Sequence, residues 1–469
     1  MKTLDQIKIE TSNTNDETYN HLFVCEHLEY KSLLSGFSSK LFNLFNSHYN
    51  ELNISESIKN LLRGNIVNET ENQSALHYIY RDLYSRNPND FVSKDIVESC
   101  HFSIQKCINL KKKLIKKRIK NIVTIGIGGS YEGPKLLIET LTSKNKRSFN
   151  HIFLTGPDLN EFNEKIRPLK QQQTFFIVAS KSFTTDETLQ SMKLSKTWLE
   201  SKCKFEDHFV AVTSMPNEAH NFGFKENVIQ FPKEIGGRYS IWSPISLSAI
   251  LELGSTFKDF LIGGHDADDL LLNDKKYNEF IKLLSFSDIC FNNFMDKNVR
   301  VLLLYSWKMR FFSDYAQQLE MESIGKKKNP LSIFNKTGQV VFGGFGSTAQ
   351  HSYFQLLHQG TASICADIIT IEDNKDFNRL LYAQSKAQSN LLANGPNKEL
   401  KINEQVNGNV PTNLFILKTL NPRTLGFLIA TWEHRTFVSS KMLQINPFDQ
   451  YGVSAGKTFT QKYINKNGG

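Results

Sequence analysis

Two hydroxyl-rich loops in this 469-residue chain each stand between an apolar run and a segment with a helical pattern. The first reads GIGGSYEGP, residues 126–134, and the second reads SKSFTT, residues 180–185. A buried strand that ends in Gly, Ser or Thr and leads into a helix binds anions, because free backbone N–H groups and the helix dipole point at the ligand. Two such loops in one parallel sheet predict a site for a phosphorylated small molecule.

The first loop is not a nucleotide motif. Tyr131 stands where the dinucleotide fingerprint needs its third Gly, and Pro134 stands where a Walker loop needs Lys. Gly128 and Gly129 let the backbone approach a ligand, and Ser130 adds a hydroxyl. Pro134 fits the first turn of the following helix. A Gly-rich turn without a ligand is the alternative interpretation.

The second loop carries four hydroxyls and Lys181 in six residues. Thr184 and Glu187 have the spacing of a capping box, which accounts for one Thr only. Hydroxyl and backbone N–H groups bind phosphate without Arg, and a Lys adds a point charge. We therefore expect phosphate to bind at this loop.

Two further motifs carry charged groups suited to proton transfer. Gly236 and Gly237 precede Arg238, which predicts a strained turn that fixes the position of the guanidinium. A guanidinium held in this way is able to stabilise an oxyanion. A surface Arg in a turn is the alternative interpretation. Glu320 and Glu322 end a helical segment. Residues two apart on a helix do not share a face, so we expect at most one carboxylate to enter a pocket, as a base, and the other to be solvated. Two solvated carboxylates at a helix end are the alternative.

His351 and His358 are seven residues apart, which places them two turns apart on one helical face, too far to chelate one metal ion. We therefore expect no metal site there. Gln450 and Lys457 lie in a polar C-terminal segment whose local pattern gives little indication of function.

Strand-like runs alternate with helical patterns from residue 123 onward, which predicts a parallel α/β layer. Residues 4–109 are expected to be helical, and the tail from Lys441 is expected to be an arm packed on the rest. The strands are predicted at residues 123–127, 151–155, 174–179, 209–213, 228–231, 299–305, 339–342 and 364–371, and helices at 134–141, 186–199 and 307–321.

The formal charge of +9 suits an anionic ligand. The basic run at residues 110–120 is interpreted as a helix with a solvated face, with nucleic-acid binding as the alternative. The six cysteines form no CxxC pair, the N-terminus lacks the apolar core of a signal peptide, and no apolar run approaches the roughly 18 residues that span a bilayer. We expect a cytoplasmic protein that engages neither membrane nor nucleic acid.

Taken in order, the motifs resemble those of the glucose-6-phosphate isomerase (phosphoglucose isomerase) family. The resemblance covers residues 68–457 and comprises GIGGS and GP, SKSFTT with ET, GGRYSIWS, QQ-x-x-MES-x-GK, QHSYFQLLHQGT, EH, and INPFDQYGV-x-x-GK. It implies an α/β fold of two SIS-type three-layer αβα subdomains with parallel-rich sheets, an N-terminal helical segment and a C-terminal arm. The implied divisions are 1–94 packing on the large domain, 95–250 as the small subdomain, 251–440 as the large subdomain and 441–469 as the arm.

The resemblance also implies a homodimer with shared active sites and interconversion of glucose 6-phosphate and fructose 6-phosphate, in glycolysis and gluconeogenesis, without cofactor or metal. Glu322 would be the base that moves a proton between C2 and C1 through a cis-enediol(ate), and Arg238 would stabilise the intermediate. His351, from the partner subunit, and Lys457 would assist ring opening. The implied substrate-binding residues are Gly129, Ser130, Ser180, Lys181, Ser182 and Thr185 at the phosphate, and Gln318 and Gln450 at the sugar.

Several positions depart from the family pattern, although none removes an implied catalytic group. Ser182 replaces Thr, Gln73 replaces Arg, Ile324 replaces Asn in the ESNGK motif, and Val410 replaces Arg. The loop before Gln350 reads GGFGSTA in place of a longer form. A sugar-phosphate sensor that does no catalysis is the competing hypothesis, and it would not require Glu322, Arg238, His351 and Lys457 together.

Overall fold

The computed structural model describes residues 2–14, 17–85, 92–372, 376–396 and 401–467. The strands of these ranges are β1 Thr18–Tyr19, β2 Leu22–Val24, β3 Leu28–Ser35, β4 Ile66–Asn68, β5 Gln73–Ser74, β6 Asn121–Ile125, β7 Asn150–Leu154, β8 Thr174–Ala179, β9 Phe209–Thr213, β10 Val228–Gln230, β11 Val299–Tyr305, β12 Val340–Phe345, β13 Ile364–Ile371 and β14 Thr412–Leu417.

The α-helices are α1 Lys2–Asn13, α2 Ser39–Glu51, α3 Ile54–Leu62, α4 Tyr78–Asp82, α5 Lys94–Lys116, α6 Gly129–Leu141, α7 Leu159–Lys165, α8 Asp186–Glu200, α9 Phe205–His208, α10 Pro216–Asn221, α11 Leu247–Leu253, α12 Phe257–Asn273, α13 Lys275–Phe294, α14 Phe312–Ile324, α15 Gly346–Gln350, α16 Phe354–Gln359, α17 Asp376–Asn394, α18 Pro422–Met442 and α19 Tyr451–Asn467. Short 3₁₀ helices span Lys144–Lys146, Gln171–Gln173, Gly237–Trp242, Pro244–Ser246, Gly254–Thr256, Trp307–Met309 and Ile402–Glu404.

The first sheet has five parallel strands in the order β10-β9-β8-β6-β7. Every residue of its central strand β8, TFFIVA, is buried. Phe176 and Val178 pack on the α8 side, whereas Phe175 and Ile177 join the main core on the opposite face. A parallel strand covered on both faces must be apolar throughout, which is why this run is continuous rather than alternating.

The second sheet joins parallel strands β14-β13-β11-β12 to the N-terminal strands β1, β2 and β3, which run antiparallel. The expectation of helices at residues 4–109 is therefore wrong at β1, β2 and β3, and also at the short antiparallel pair of β4 and β5. Strand β3 buries Leu28 and Tyr30 and leaves Lys31 exposed, so its sequence alternates with the period of a strand. Its partner β14 is far away in sequence, and no local turn signal marks the pairing.

The predicted α/β fold class is confirmed. The strands expected at residues 174–179, 209–213, 299–305 and 364–371 have the observed bounds, and the others differ by up to three residues at an end. The helical pattern at residues 307–321 divides into a 3₁₀ turn, Trp307–Met309, and α14. Among the described residues, no helix is both long enough and apolar enough to cross a membrane.

The C-terminal segment has two parts. After α18, whose residues are almost all buried, residues 443–450 pack on the core through Leu443, Ile445 and Phe448. Every described side chain of α19 is exposed, including Phe459 and Tyr463. The expectation of a packed arm therefore holds for residues 443–450 and is wrong for α19, because a helical pattern does not specify which surface the helix contacts.

Candidate active site

The first hydroxyl-rich loop lies at the carboxyl end of β6 and begins α6. Gly128 has φ of +58°, a left-handed conformation that Gly adopts without a side-chain clash. A Cβ atom on Gly129 would lie 1.9 Å from the carbonyl oxygen of Gly237, so the start of α6 is in backbone contact with the segment that carries Arg238. Because α6 begins at Gly129, Pro134 lies inside the helix rather than in its first turn, which corrects the expectation from sequence.

The second loop follows β8 and is fixed by its own hydroxyls. Ser180 is buried, and its Oγ accepts a hydrogen bond from the Phe183 N–H at 3.2 Å and lies 3.5 Å from Thr185 Oγ1. Ser182 is exposed, and its Oγ accepts a hydrogen bond from the Thr184 hydroxyl at 2.8 Å. Thr184 therefore does not cap α8, which begins after Thr185, and the predicted capping box is wrong.

Phe183 holds this loop in an unusual conformation. Its φ is +55°, a left-handed value that costs a non-Gly residue about 1–2 kcal/mol. The side chain is fully buried, with ring centroids 5.9 Å from Phe222 and 5.6 Å from Phe224. Burial of this ring therefore offsets the backbone strain and orients the hydroxyls on either side of it.

Lys181 contributes charge near both the loop and Arg238. Burial lowers the pKa of its ammonium group, and the Arg238 charge lowers that pKa further, whereas Glu71 and Glu234 raise it. A partly desolvated cation favours an anionic ligand. Ser130 is half-buried at the first turn of α6.

Arg238 is the most extensively bonded side chain of the site and is 1% exposed. Its Nε donates to Ser323 Oγ at 2.7 Å, its Nη1 to Gln450 Oε1 at 2.9 Å, and its Nη2 to the carbonyl oxygens of Asp449, at 2.9 Å, and Pro447. Neither Gly236 nor Gly237 has a positive φ, so the expected backbone strain is wrong. The guanidinium is fixed by its acceptors.

Glu322 lies beside this guanidinium on α14. Its Oε2 is 3.5 Å from Arg238 Nη1 and accepts a hydrogen bond from Gln318 Nε2 at 3.2 Å, one turn earlier on the same helix. The Glu322 side chain is 22% exposed, so the carboxylate can reach a ligand. The Gln318 amide nitrogen is also near Gly128, since a Cβ there would lie 3.0 Å from it.

Glu320 faces the opposite way and is buried, so the expectation of a solvated carboxylate is wrong. It pairs with Arg300 and accepts a hydrogen bond from Trp432 Nε1 at 2.8 Å. Arg300 also pairs with Asp288 and Asp367. The spacing predicts that Glu320 and Glu322 lie on different faces of α14. Only the tertiary structure shows that the face with Glu320 contacts an internal ion cluster.

Three residues of the site lack an individual prediction from sequence. Ser323 links Arg238 to Tyr239, whose hydroxyl is 3.1 Å from Ser323 Oγ. Lys326 pairs with Asp449 at 2.9 Å, and Asp449 Oδ2 accepts a hydrogen bond from Thr70 at 2.8 Å. Ser323 and Lys326 lie in the QQ-x-x-MES-x-GK motif, and Asp449 lies in INPFDQYGV. Only their position inside these family motifs marks them as site residues in the sequence, because their local spacing does not.

The structure does not bring the remaining candidates to this cluster. His351 is exposed at the end of α15, whereas His358 lies in α16, with Nε2 2.9 Å from Gln388 Oε1. The chain turns between these helices, so the placement of both histidines on one helical face is wrong. Lys457 is exposed on α19. Within the described ranges, no group of three or more His, Cys, Asp or Glu side chains could hold a metal ion.

The departures from the family pattern lie outside the Glu322–Arg238 contact. Ile324 is 8% exposed and packs in the main core, and a Cβ on Gly338 would lie 3.1 Å from its Cγ1. Val410 is buried beside β14, and Gln73 is half-buried in β5. Ile324 therefore replaces a polar side chain with a packing contact.

This chain is similar to known glucose-6-phosphate isomerases. The family model for phosphoglucose isomerase matches residues 35–467. A glucose-6-phosphate isomerase of Legionella pneumophila (strain Lens) is 35% identical over 422 residues, covering 87% of this chain and 83% of that protein. One from Buchnera aphidicola subsp. Schizaphis graminum is 35% identical over 457 residues, covering 89% and 81%.

Solved structures show the same fold. The crystal structure of a glucose-6-phosphate isomerase from Chlamydia trachomatis superposes with a TM-score of 0.90 at 24% identity and covers 99% of this chain and 95% of that chain. Given the family-model match and the curated relatives, the chain belongs to the phosphoglucose isomerase family.

Proposed function

We propose that this protein interconverts glucose 6-phosphate and fructose 6-phosphate by moving a proton between C2 and C1, with Glu322 as the base. The observation that carries the proposal is the 3.5 Å contact between Glu322 Oε2 and Arg238 Nη1, next to the two loops at the ends of β6 and β8. A C–H bond beside a carbonyl is a weak acid, so its ionisation requires both a placed base and stabilisation of the developing oxyanion.

The phosphate is held far from the reacting carbons. Gly129 and Ser130 at the start of α6, with Ser180, Lys181, Ser182 and Thr185 in the second loop, supply N–H groups, hydroxyls and one cation. Gln318 and Gln450 are expected to contact the sugar, since they bond to Glu322 and Arg238 respectively. Binding energy at the phosphate then fixes the orientation of C1 and C2 against Glu322.

Arg238 is suited to the enediolate because it cannot lose its proton under physiological conditions. Its Nη1 is close to Glu322, whereas its Nε and Nη2 are bonded to Ser323 and the 447–449 segment. The guanidinium therefore needs little reorganisation when negative charge develops on O1 or O2 of the intermediate. No cofactor enters the step, because the proton that leaves one carbon returns to its neighbour.

Ring opening requires an acid and a base at the ring oxygen and the anomeric hydroxyl, and we assign these roles to His351 and Lys457. His351 is exposed at the end of α15, so we place it in the active site of a second copy of the chain, and the active form is a homodimer. The exposed apolar side chains of α19, such as Phe459 and Tyr463, support burial of this helix in an assembly. Light scattering at working concentration tests the dimer.

We retain the division into a helical and strand-containing segment at 1–94, subdomains at 95–250 and 251–440, and an arm at 441–469. Each subdomain then contains one of the two large sheets, apart from β1, β2 and β3. A cytoplasmic location is also proposed. It is supported by the six cysteines, all of which are described and free of disulfides.

The decisive experiment measures turnover of fructose 6-phosphate, coupled to NADP reduction by glucose-6-phosphate dehydrogenase, in the wild type and in Glu322→Gln. We expect kcat to fall by about 10²–10⁴ in the variant, while calorimetry shows that the sugar phosphate still binds. Glu164→Gln, an exposed carboxylate on α7, is the matched control and should retain activity.

Substantial turnover in Glu322→Gln would contradict the assigned base. A folded wild type that binds the sugar phosphate without turning it over would instead identify a sugar-phosphate sensor. The two results separate an error in the assigned residue from an error in the assigned activity.

A further inference from the structure

The two large sheets share one strand topology. In the first, the chain passes from β6 to its neighbour β7 and then crosses to β8 on the other side; in the second, it passes from β11 to β12 and then crosses to β13. Each sheet therefore has a switch point, between β6 and β8 and between β11 and β13. Ligands of open α/β sheets bind outside the carboxyl ends of the strands at such a point.

In the first sheet the switch point carries the two hydroxyl-rich loops of the proposed active site. In the second sheet it carries a cavity of about 640 Å³, here called the second-sheet cavity. Its walls include Ser306, Trp307 and Lys308 after β11, Glu372 after β13, and Lys418 after β14. The volume falls in the range of small-molecule sites.

Buried hydroxyls at this switch point have no hydrogen-bond partner. Tyr305, the last residue of β11, lines the cavity and is 2% exposed, yet its hydroxyl is unsatisfied among the described residues. Thr370 is its register partner on β13 and is 1% exposed, and its hydroxyl also has no partner within the described part of the chain. A buried polar group without a partner is destabilising, so the hydroxyl of Tyr305, which lines the cavity, indicates a position where a ligand would supply the missing bond; Thr370 is not part of the cavity wall.

The charges and rings of the walls indicate what kind of ligand fits. The ammonium groups of Lys308 and Lys418 form no ion pair among the described residues. With the single carboxylate of Glu372, they give the cavity wall a net charge of +1. Trp307 is 59% exposed and presents an aromatic surface, and Tyr382 lines the α17 side. The Gly-rich turn of the first loop is absent here, so side chains rather than backbone N–H groups would bind an anion.

We propose that the second-sheet cavity binds a phosphate ester that carries a hydroxylated ring. Lys308 and Lys418 contact the phosphate, Tyr305 and Glu372 bond to ring hydroxyls, and Trp307 packs on the ring. This site is separate from the proposed active site and does not depend on the isomerase activity.

The experiment uses the full-length protein and the fluorescence of Trp307. Trp242 and Trp432 are fully buried and Trp198 is partly buried, so Trp307 is the tryptophan most sensitive to a ligand. Ribose 5-phosphate and AMP serve as separate probes and distinguish a sugar phosphate from a nucleotide. We expect a saturable change with at least one probe, which is lost in Trp307→Phe.

The lysines supply the test of the site itself. Replacing Lys308 and Lys418 together by Met should weaken binding of the active probe at least about tenfold, because two charge-assisted contacts are removed. Lys112→Met, an exposed lysine on α5, is the matched control and should bind as the wild type does. Both cavity lysines are exposed, and circular dichroism checks that the double variant is folded.

Three results would overturn the proposal. The first is the absence of a saturable change with either probe up to about 10 mM. The second is a change that persists in Trp307→Phe, which would place the probe elsewhere. The third is a folded double-lysine variant with unchanged affinity.

Discussion

Replacing Arg238 by Lys keeps the positive charge but removes the geometry that the guanidinium provides. Arg238 donates to Ser323 on α14 and to Gln450, Asp449 and Pro447 in the C-terminal segment. One ammonium group has three N–H donors for these four acceptors and cannot span both elements, so at least one acceptor loses its donor. Each buried acceptor left unpaired costs about 1–2 kcal/mol, so we expect the free energy of unfolding to fall by at least that amount.

The catalytic effect should be separable from this loss of stability. A mispositioned charge stabilises the enediolate less well, and loss of one oxyanion donor lowers kcat by about 10²–10³. Urea unfolding measures the first effect, and coupled turnover of fructose 6-phosphate at a temperature where the variant is folded measures the second. Arg167→Lys, at an exposed position between α7 and β8, is the matched control and should change neither quantity.

A folded Arg238→Lys variant with kcat/KM within about threefold of the wild type would refute the argument, because charge alone would then suffice. Ser323→Ala gives an independent check. It leaves the guanidinium in place and removes the partner of Nε, so it should lower the free energy of unfolding by about 1 kcal/mol. It should also lower kcat by less than Arg238→Lys does.

The remaining predictions concern the loop contact, the ion cluster and pH. Gly129→Ala places a Cβ 1.9 Å from the Gly237 carbonyl oxygen and should lower kcat/KM about 100-fold in the coupled assay. The control is Gly156→Ala, whose Cβ would have no atom within 4 Å, and it should leave kcat/KM unchanged. Arg300→Met leaves three carboxylates around Arg435 and should lower the free energy of unfolding, measured in urea, by about 3–5 kcal/mol. Glu320→Gln should lower it much less, because the cluster has one more carboxylate than guanidinium groups. Equal losses in the two variants would contradict this reasoning. Burial, with Asp314 nearby, raises the pKa of Glu132 from 4.5 to about 7, so the folded state binds the proton more tightly and the free energy of unfolding should fall as pH rises from about 4.5 to about 7. Because this carboxyl is partly exposed, the fall should be about 1 kcal/mol, and a Glu132→Gln protein with the same pH dependence as the wild type would disprove it.

Sequence patterns predicted the parts of this fold that depend on local burial. Strands such as β8 and β11 are continuous apolar runs, and such a run leaves little choice but a strand covered on both faces. The two hydroxyl-rich loops were found for a similar reason, since their composition departs from that of an ordinary turn. Local motifs made Arg238 and the pair Glu320 and Glu322 candidates, the resemblance selected Glu322, and the structure places Arg238 and Glu322 in contact.

The features that sequence did not predict depend on distant contacts. Nothing near Glu320 indicates that Arg300 and Trp432 surround it. The turn that separates His351 from His358 interrupts a pattern that would also suit a continuous helix. The second-sheet cavity carries no Gly-rich motif, so it becomes visible only when the strand order of the two sheets is compared.

The pairing of β3 with β14 also determines when the second sheet can form during synthesis. Tyr30 donates a hydrogen bond to Asn413 Oδ1 at 2.6 Å across 383 positions of sequence. The five strands of the first sheet lie within residues 121–230 and can pair as soon as they leave the ribosome. One edge of β3 pairs with the neighbouring strands β1 and β2, but its other edge has to wait until residues 412–417 emerge, so a nascent chain that stalls before that point exposes an unpaired strand edge to other chains.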